Sequence, residues 1–334
     1  MRKVSLSKPV LSAQEKNIVK KHRDEIKSIL TGKDDRFLLI VGPCSAWPEK
    51  ATFEYAKRLK ALQNELENLK LVMRVYTQKP RTNLGWKGLA VQPDPCKDED
   101  IKKGVKEVQK LMQKIVALDL AIADEALFLP ITHYYEDFLS YVALGARSSE
   151  DQEHRNYGAT RNFAVGVKNP SSGDEQVAIN SVLATRASAT FYLEREYTKS
   201  DGNSFSHLIL RGGRKPNYKE KDIKSHLYFA EKAGIKDLSI IIDTNHANSR
   251  KDHKKQIDIA KYVLKLKKKD ESLNKHIRGL MIESFIKDGR QDINCKWKMD
   301  QEGLSITDHS LSWEDTEKLI QSLHKMLLCM KGVL

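Results

Sequence analysis

Cysteine is scarce in this chain, and long apolar runs are absent from it. The 334 residues include 4 cysteines, too few for a disulfide framework in a chain of this length, so we expect reduced thiols in a reducing cytoplasm. No apolar run approaches the roughly 20 residues that a membrane helix needs. The first residues also lack the apolar core of a secretory signal. We therefore predict a cytoplasmic protein without a membrane span.

Acidic residues are outnumbered by basic ones, with 45 Asp and Glu against 58 Lys and Arg, for a net charge of +13. One interpretation is a basic nucleic-acid-binding protein, but no helix-turn-helix, zinc-finger or RNP-like pattern is present. Many lysines fall in helix-like segments such as residues 219–224 and 261–269, which is typical of a solvated surface. We therefore expect no nucleic-acid partner, and the charge would help to collect anionic substrates.

Eight apolar runs alternate with helix-like segments along most of the chain, and those segments include residues 49–68 and 133–140. Each run ends in, or soon leads to, a charged or metal-binding side chain, as at the active-site rim of a (β/α)8 barrel. The runs are residues 37–41, 71–75, 118–123, 141–144, 164–167, 208–210, 238–242 and 280–282. We predict the α/β class, with a (β/α)8 TIM barrel as the catalytic domain over residues 36–334 and an N-terminal helical extension over residues 1–35.

Three further segments refine this prediction. Ser12 and Glu15 match a capping box, which predicts a helix ending near residue 30 that covers the barrel bottom or joins a subunit interface. Residues 195–206, with the turn signal Asp201-Gly202-Asn203, predict an inserted hairpin or exposed loop before the sixth strand. Residues 287–305 predict a long loop after the eighth strand, at the rim where specificity usually lies.

Four potential metal ligands follow three strands that are neighbours in a closed barrel. Cys44 follows the first strand, His246 the seventh and Glu283 the eighth, and Asp308 comes later in the chain. Each alone has an ordinary structural interpretation, such as a small buried cysteine or a histidine at the rim. Together, one thiolate, one imidazole and two carboxylates suit a divalent Mn²⁺, Fe²⁺, Co²⁺ or Zn²⁺ ion.

Basic side chains follow several of the other predicted strands. Arg74, Arg147, Lys168 and Arg211 would all point into one barrel mouth, where they repel one another unless an anion offsets that cost. Structural pairing with carboxylates is the alternative for each of them alone. Glu125 is the lone carboxylate among these cations, and it would hold a water or balance their charge. We predict a site for a small, multiply charged anion.

The segment Lys79-Pro-Arg-Thr82 is the sharpest local motif. Its proline fixes the backbone, so that Arg81 and Thr82 can present a guanidinium, a hydroxyl and backbone donors to a second phosphate. Lys79 would lie between the two anion positions, where it could donate a proton. The alternative is an ordinary basic loop.

These motifs also identify a family. From about residue 34 to its C-terminus the chain resembles the type I 3-deoxy-D-arabino-heptulosonate 7-phosphate (DAHP) synthases. The resemblance is carried by motifs that include Gly42-Pro-Cys-Ser45, Val72-Met-Arg-Val-Tyr76, Lys79-Pro-Arg-Thr82, Gly145-Ala-Arg147, Gly166-Val-Lys-Asn169, Ile209-Leu-Arg-Gly-Gly213, Asn245-His-Ala-Asn-Ser249, Met281-Ile-Glu-Ser284 and Ser305-Ile-Thr-Asp308.

The resemblance implies condensation of phosphoenolpyruvate with erythrose 4-phosphate and water, which releases phosphate and opens the shikimate pathway. In this family pattern, phosphoenolpyruvate would be bound by Arg74, Lys79, Arg147, Lys168 and Arg211. Arg147, Lys168 and the backbone of Ala146 would face its phosphate. Arg74 and Arg211 would face its carboxylate. The alternative is a related synthase that uses another phosphorylated aldose, but the Lys-Pro-Arg-Thr element favours the four-carbon acceptor.

The remaining roles follow from the same resemblance. Arg81 and Thr82 would contact erythrose 4-phosphate, Lys79 would be the acid for the developing alkoxide, and Glu125 would lie near the attacking water. The chain would act as a homodimer or homotetramer. The metal ligands would be Cys44, His246, Glu283 and Asp308, and His246 would also take part in catalysis.

Overall fold

The computed structural model describes residues 5–81, 84–193, 196–296 and 299–332. Ten strands lie within these ranges. They are β1 (Phe37–Gly42), β2 (Leu69–Arg74), β3 (Ala121–Ala126), β4 (Tyr141–Leu144), β5 (Ala164–Lys168), β6 (Ala189–Leu193), β7 (Glu196–Ser200), β8 (His207–Leu210), β9 (Ile240–Asp243) and β10 (Ile277–Glu283).

Helices connect most of these strands. They are α1 (Ala13–Leu30), α2 (Glu49–Gln63), α3 (Ile101–Ala117), α4 (Leu129–Thr132), α5 (Gln152–Thr160), α6 (Glu175–Arg186), α7 (Glu220–Lys232), α8 (Lys255–Lys269), α9 (Glu271–His276) and α10 (Trp313–Met330), with a 3₁₀ turn at Glu136–Phe138. None of the helices in the described ranges is long and apolar enough to cross a membrane.

Eight of the strands close into a parallel barrel, in the order β1, β2, β3, β4, β5, β8, β9, β10. The closure lies between the first and last strands, because β1 pairs with both β2 and β10; Leu39 is opposite Leu71 on one side and Leu280 on the other. Nearly every residue of the eight barrel strands is buried, as expected when side chains fill the barrel interior and helices cover its outside. The predicted (β/α)8 fold is confirmed.

Helix α1 covers the N-terminal end of the barrel. The predicted capping box is present: Ser12 Oγ accepts from the Glu15 amide at 3.2 Å, and Glu15 Oε2 accepts from the Ser12 amide at 2.7 Å. Ile26, Ile29 and Leu30 are buried in one cluster with side chains that fill the barrel interior. This helix therefore closes the end opposite the rim that carries the polar residues.

The inserted hairpin lies before the sixth barrel strand, as predicted, but earlier in the chain than residues 195–206. Strand β6 begins at Ala189 and β7 ends at Ser200. The glycine that suggested a turn, Gly202 with φ +83°, lies in the connection after β7. There Asn203 donates to the carbonyl oxygens of Gly158 and Phe163 at 3.1 and 2.9 Å, which ties the connection to the barrel.

Two predicted helices also have different bounds. The helix predicted over residues 49–68 ends at Gln63, whose side-chain amide donates to the carbonyl oxygens of Leu66 and Leu69 and turns the chain into β2. The helix predicted over residues 133–140 is replaced by α4 and the 3₁₀ turn. A proline in the first turn of α4 suits a helix start, which places that start before residue 133.

The prediction of reduced cysteines is wrong for two of the four. Cys96 and Cys295 form a disulfide with a Cα–Cα distance of 5.3 Å, whereas Cys44 and Cys329 are free thiols. The two bonded residues are 199 positions apart in the sequence. No spacing motif links them, because only the closed barrel brings their two loops together.

Candidate active site at the barrel rim

The polar residues that follow the strands lie around one cavity of about 320 Å³ at the C-terminal rim. Thr82 lies outside the described residues, and the other residues assigned to the site from sequence all line this cavity. The assigned residues that line it are Cys44, Arg74, Lys79, Arg81, Glu125, Ala146, Arg147, Lys168, Arg211, His246, Glu283 and Asp308. The barrel thus gathers side chains that are up to 264 positions apart, as the Cys44–Asp308 contact shows.

Two buried ion pairs organise the charges in the cavity. Arg74, the last residue of β2 and fully buried, donates through Nη2 to Glu283 Oε1 at 2.7 Å. Lys168, the last residue of β5, donates to Glu125 Oε1 at 2.9 Å. Burial opposes ionisation of Glu125, but Lys168 and Lys79 hold its pKa down at about 2. Glu125 is therefore ionised throughout the neutral range.

Cys44, Glu283 and Asp308 place one ligand atom each within 4.8 Å of one another. Cys44 Sγ is 3.5 Å from Asp308 Oδ2, and His246 Nε2 is 3.7 Å from Glu283 Oε1. Burial raises the pKa of the Cys44 thiol to about 12, and the nearby Glu283 carboxylate adds to the effect. A divalent ion would offset both the buried thiolate and the acidic side chains, so the donor set fits a metal site.

Tyr76 is a part of the site that the sequence reasoning did not assign. Its buried ring lies under three cations: the guanidinium carbon of Arg74 is 4.0 Å from the ring centre, and the ammonium nitrogens of Lys79 and Lys168 are 5.4 and 5.5 Å away. The negative face of an aromatic ring stabilises such a cluster. The signal was present, since Tyr76 ends the Val-Met-Arg-Val-Tyr motif of β2.

Asp243 and Asn245 were missed as well. Asp243 Oδ2, fully buried at the end of β9, is 2.9 Å from His246 Nδ1, which leaves Nε2 facing Glu283. Asn245 Nδ2 donates to Glu283 Oε2 at 2.5 Å. A carboxylate that holds the second nitrogen of a histidine is the usual partner of a histidine ligand. An Asp three positions before the histidine is the sequence signal that could have identified it.

Two long loops line the same side of the cavity, because they follow β2 and β10, which both pair with β1. The acceptor loop (residues 75–100, with 82–83 outside the description) connects β2 to α3, and the closing loop (residues 284–312, with 297–298 outside) connects β10 to α10. In the acceptor loop, Arg81 Nε donates to the carbonyl oxygen of Trp86 at 2.7 Å. The amide of Lys79 donates to the carbonyl oxygen of Lys87 at 2.9 Å. The closing loop carries Asp308.

Fold and site together define a (β/α)8-barrel enzyme with a cationic cavity and metal-type ligands. The family model described as "DAHP synthetase I family" matches residues 11–321. The chain belongs to this family, which confirms the resemblance and the synthase reaction predicted from the sequence.

Individual relatives agree with this assignment. A phospho-2-dehydro-3-deoxyheptonate aldolase from Haemophilus influenzae is 38% identical over 325 residues, covering 95% of this chain and 88% of the relative. A Trp-sensitive enzyme of the same name from Enterobacter agglomerans is 38% identical over 309 residues, covering 90% and 87%. The solved structure of the Francisella tularensis aldolase of this name aligns with a TM-score of 0.91 at 32% identity, covering 99% of both chains.

Proposed function

We propose that the rim cavity condenses phosphoenolpyruvate with erythrose 4-phosphate in a metal-dependent reaction. Family membership gives the reaction. The observation that supports the metal is the convergence of Cys44, Glu283 and Asp308, with His246 beside them. These four residues would hold the ion, and Mn²⁺, Fe²⁺, Co²⁺ and Zn²⁺ all suit their mixed sulfur, nitrogen and oxygen donors.

Phosphoenolpyruvate would be bound by the cations on one side of the cavity. Arg74 Nη1 is a buried donor without a hydrogen-bond partner among the described residues, and it would donate to the substrate carboxylate together with Arg211. Arg147, Lys168 and the backbone of Ala146 would surround the phosphate. Binding of the dianion would offset the mutual repulsion of these cations.

Erythrose 4-phosphate would be bound at the acceptor loop. Arg81 lines the cavity, and the hydrogen bond from its Nε to Trp86 orients the guanidinium. Thr82 would complete the phosphate contacts. Because Lys79 and Arg81 are two positions apart on one loop, the aldehyde end of the acceptor would lie toward Lys79 while its phosphate faces Arg81.

The chain's own residues would then move the protons. C3 of phosphoenolpyruvate attacks the aldehyde carbon, water adds at C2, and the phosphate leaves with its oxygen as the hemiketal collapses. Lys79 Nζ, buried and 3.3 Å from Cys44 Sγ, would protonate the developing alkoxide, and Glu125 would orient the water. When bound, the ion supplies Lewis-acid polarisation of the aldehyde.

Removal of the metal tests this assignment. Treatment with EDTA should abolish phosphate release from the two substrates, and added Mn²⁺ should restore it, whereas Mg²⁺ should not because it disfavours thiolate. Activity that persists after the metal has been removed would contradict the metal site. Replacing erythrose 4-phosphate with arabinose 5-phosphate tests the acceptor, and we expect little or no turnover with the five-carbon sugar.

Three further assignments belong to the same proposal. The first 35 residues would form an extension to a single catalytic domain over residues 36–334, since α1 covers the barrel without adding a strand to it. The chain would assemble as a homodimer or homotetramer and would act in the cytoplasm. Light scattering on the purified protein would test the assembly.

A further inference from the structure

The disulfide joins the acceptor loop to the closing loop, which lie on either side of the strand β1 and both line the cavity. Cys96 lies near the end of the acceptor loop and Cys295 lies in the middle of the closing loop, with 199 positions between them. Both residues are exposed, so a reductant can reach the bond. Neither cysteine lines the substrate cavity. Any effect of the disulfide on the reaction must therefore act through other residues.

A short chain of hydrogen bonds leads from Cys96 to Arg81. The side-chain amide of Gln92 donates to the carbonyl oxygens of Pro95 and Lys97, which flank Cys96, at 3.4 and 2.7 Å. The carbonyl oxygen of Gln92 accepts from the Trp86 indole at 2.6 Å. The carbonyl oxygen of Trp86 in turn accepts from Arg81 Nε. The position of Cys96 is thus coupled to the orientation of Arg81.

The closing loop, which carries Cys295, is folded back on its own segment that ends in Asp308. The amide of Gln291 donates to the carbonyl oxygen of Ser305 at 2.7 Å. The side chain of Gln291 pairs with the backbone of Asp300 at 2.8 and 2.9 Å. Cys295 lies between these two anchored positions. The disulfide therefore ties the acceptor loop to an anchored part of the closing loop.

Apart from the disulfide, the two loops are held together by a small apolar cluster. Trp86 of the acceptor loop and Ile306 of the closing loop are buried together with Trp47, and Ile293 and Met299 pack against them. This cluster is separate from the two larger cores of the protein. Because this apolar cluster is small, the disulfide beside it limits how far the acceptor loop and the closing loop can separate.

We propose that the Cys96–Cys295 disulfide positions Arg81 for the acceptor phosphate, and that its reduction selectively weakens binding of erythrose 4-phosphate. This inference rests on the proposed function of the cavity. In the reduction, a dithiol breaks the S–S bond, two electrons and two protons produce two thiols, and the dithiol becomes a cyclic disulfide. Phosphoenolpyruvate would be little affected, because four of its five proposed cations, all except Lys79, lie on the barrel strands or within three residues after them.

The experiment compares Michaelis constants for the two substrates in the oxidised and reduced protein. Thiol titration of the denatured protein first establishes the state: two free thiols, Cys44 and Cys329, when oxidised, and four when reduced. Reduction should raise the KM for erythrose 4-phosphate roughly fivefold, as expected when one charged contact is weakened. The KM for phosphoenolpyruvate and kcat should stay within about twofold. Reoxidation should reverse the change.

Variants separate the disulfide from other effects of the reductant. The double variant Cys96→Ser, Cys295→Ser should have the high KM for erythrose 4-phosphate without any reductant. Cys329→Ser removes an exposed free thiol and should behave as the wild type does: its KM for erythrose 4-phosphate should be low in the oxidised protein and high in the reduced protein. An unchanged KM on reduction and in the double variant would overturn the proposal.

Other outcomes are equally decisive. Equal rises in both KM values would show a general structural role and would overturn the selective one. Four free thiols after oxidation would show that the bond does not form. Absence of turnover in the folded, oxidised, metal-loaded protein would instead overturn the proposed function, and this inference with it.

Discussion

Single residues at the rim are stabilised by partners of opposite charge in a buried setting. Arg74 and Glu283 are each 1% exposed at the side chain, so neither charge is solvated by water. Removing one partner of such a pair is more costly than removing a surface pair, because the other charge remains buried without compensation. Arg74, which we propose binds phosphoenolpyruvate, therefore also has a structural role.

Replacement of Arg74 by Met should destabilise the metal-free protein. The change leaves the Glu283 carboxylate buried beside other acids, so we expect the free energy of unfolding to fall by about 3–5 kcal/mol. Urea unfolding in EDTA would measure it. Arg58→Met is the matched control, since Arg58 pairs with Glu54 at 3.2 Å on the surface and should cost under about 1 kcal/mol. Equal losses in the two variants would contradict the buried-pair argument.

The pair of Lys168 and Glu125 makes a prediction about pH. The folded-state pKa of Glu125 is lowered from 4.5 to about 2, so its contribution to stability is present above pH 4.5 and is lost as pH falls through 2. In Lys168→Met the pKa of Glu125 should rise, and protonation then relieves the unpaired charge. The stability difference from wild type should therefore be large at about pH 7 and smaller at about pH 3.

Urea unfolding at the two pH values would measure that difference. Lys224→Met provides a control, because Lys224 pairs with Glu220 at 2.8 Å at an exposed position on α7. Its effect should be small at both pH values. The interpretation fails if the Lys168→Met difference is the same at both.

At the scale of elements, the acceptor loop depends on a close backbone approach. Gly88 has φ +98°, and a Cβ there would lie 2.4 Å from the carbonyl oxygen of Thr77. Gly88 also follows Lys87, whose carbonyl oxygen accepts from the amide of Lys79. A side chain at this position must displace the loop that carries Lys79 and Arg81.

Gly88→Ala should therefore lower stability and raise the KM for erythrose 4-phosphate. We expect a loss of about 2 kcal/mol or more, from the positive φ together with the clash. Gly234→Ala is the control, since Gly234 has φ +83° but nothing within 4 Å of the added Cβ. Its stability loss should be smaller and its kinetics unchanged. Thermal unfolding would measure the stability of both variants, and steady-state kinetics would measure their KM for erythrose 4-phosphate.

The elements also show what could be predicted from sequence. The eight barrel strands and the capping box at Ser12 follow from apolar runs and local chemistry, which act over a few residues. The bounds of the hairpin could not be predicted in this way, because Gly202, which suggested the hairpin turn, lies in the connection after β7. The Cys96–Cys295 pair could not be predicted either, since it depends on the meeting of two loops across the closed barrel.

The site also contains some residues that could be predicted from the sequence and others that could not. Cations and metal-type ligands were found because each follows an apolar run, so barrel topology alone places them at one rim. Tyr76 and Asp243 were missed, because they act on other side chains through packing and orientation. A buried aromatic ring just after a strand looks like a core residue until the cations above it are seen.

At the scale of the whole molecule, the net charge of +13 acts on two anionic substrates. Long-range attraction speeds their encounter with the cavity and is screened by salt. We expect kcat/KM for both substrates to fall about two- to fivefold as KCl rises from about 20 to about 200 mM. Steady-state kinetics with thermal unfolding as a control would test it. A flat salt dependence would show that local contacts alone govern capture.

The closure between β1 and β10 has a consequence for synthesis on the ribosome. Cys44 follows the first barrel strand and Glu283 ends the last, so the two meet only after nearly the whole barrel has been made. A nascent chain that lacks β10 has neither a closed barrel nor a complete set of acidic and thiol ligands. The proposed metal site therefore cannot form until both the final strand and Asp308 in the loop after it have been made, so a partly made chain would not consume the two substrates.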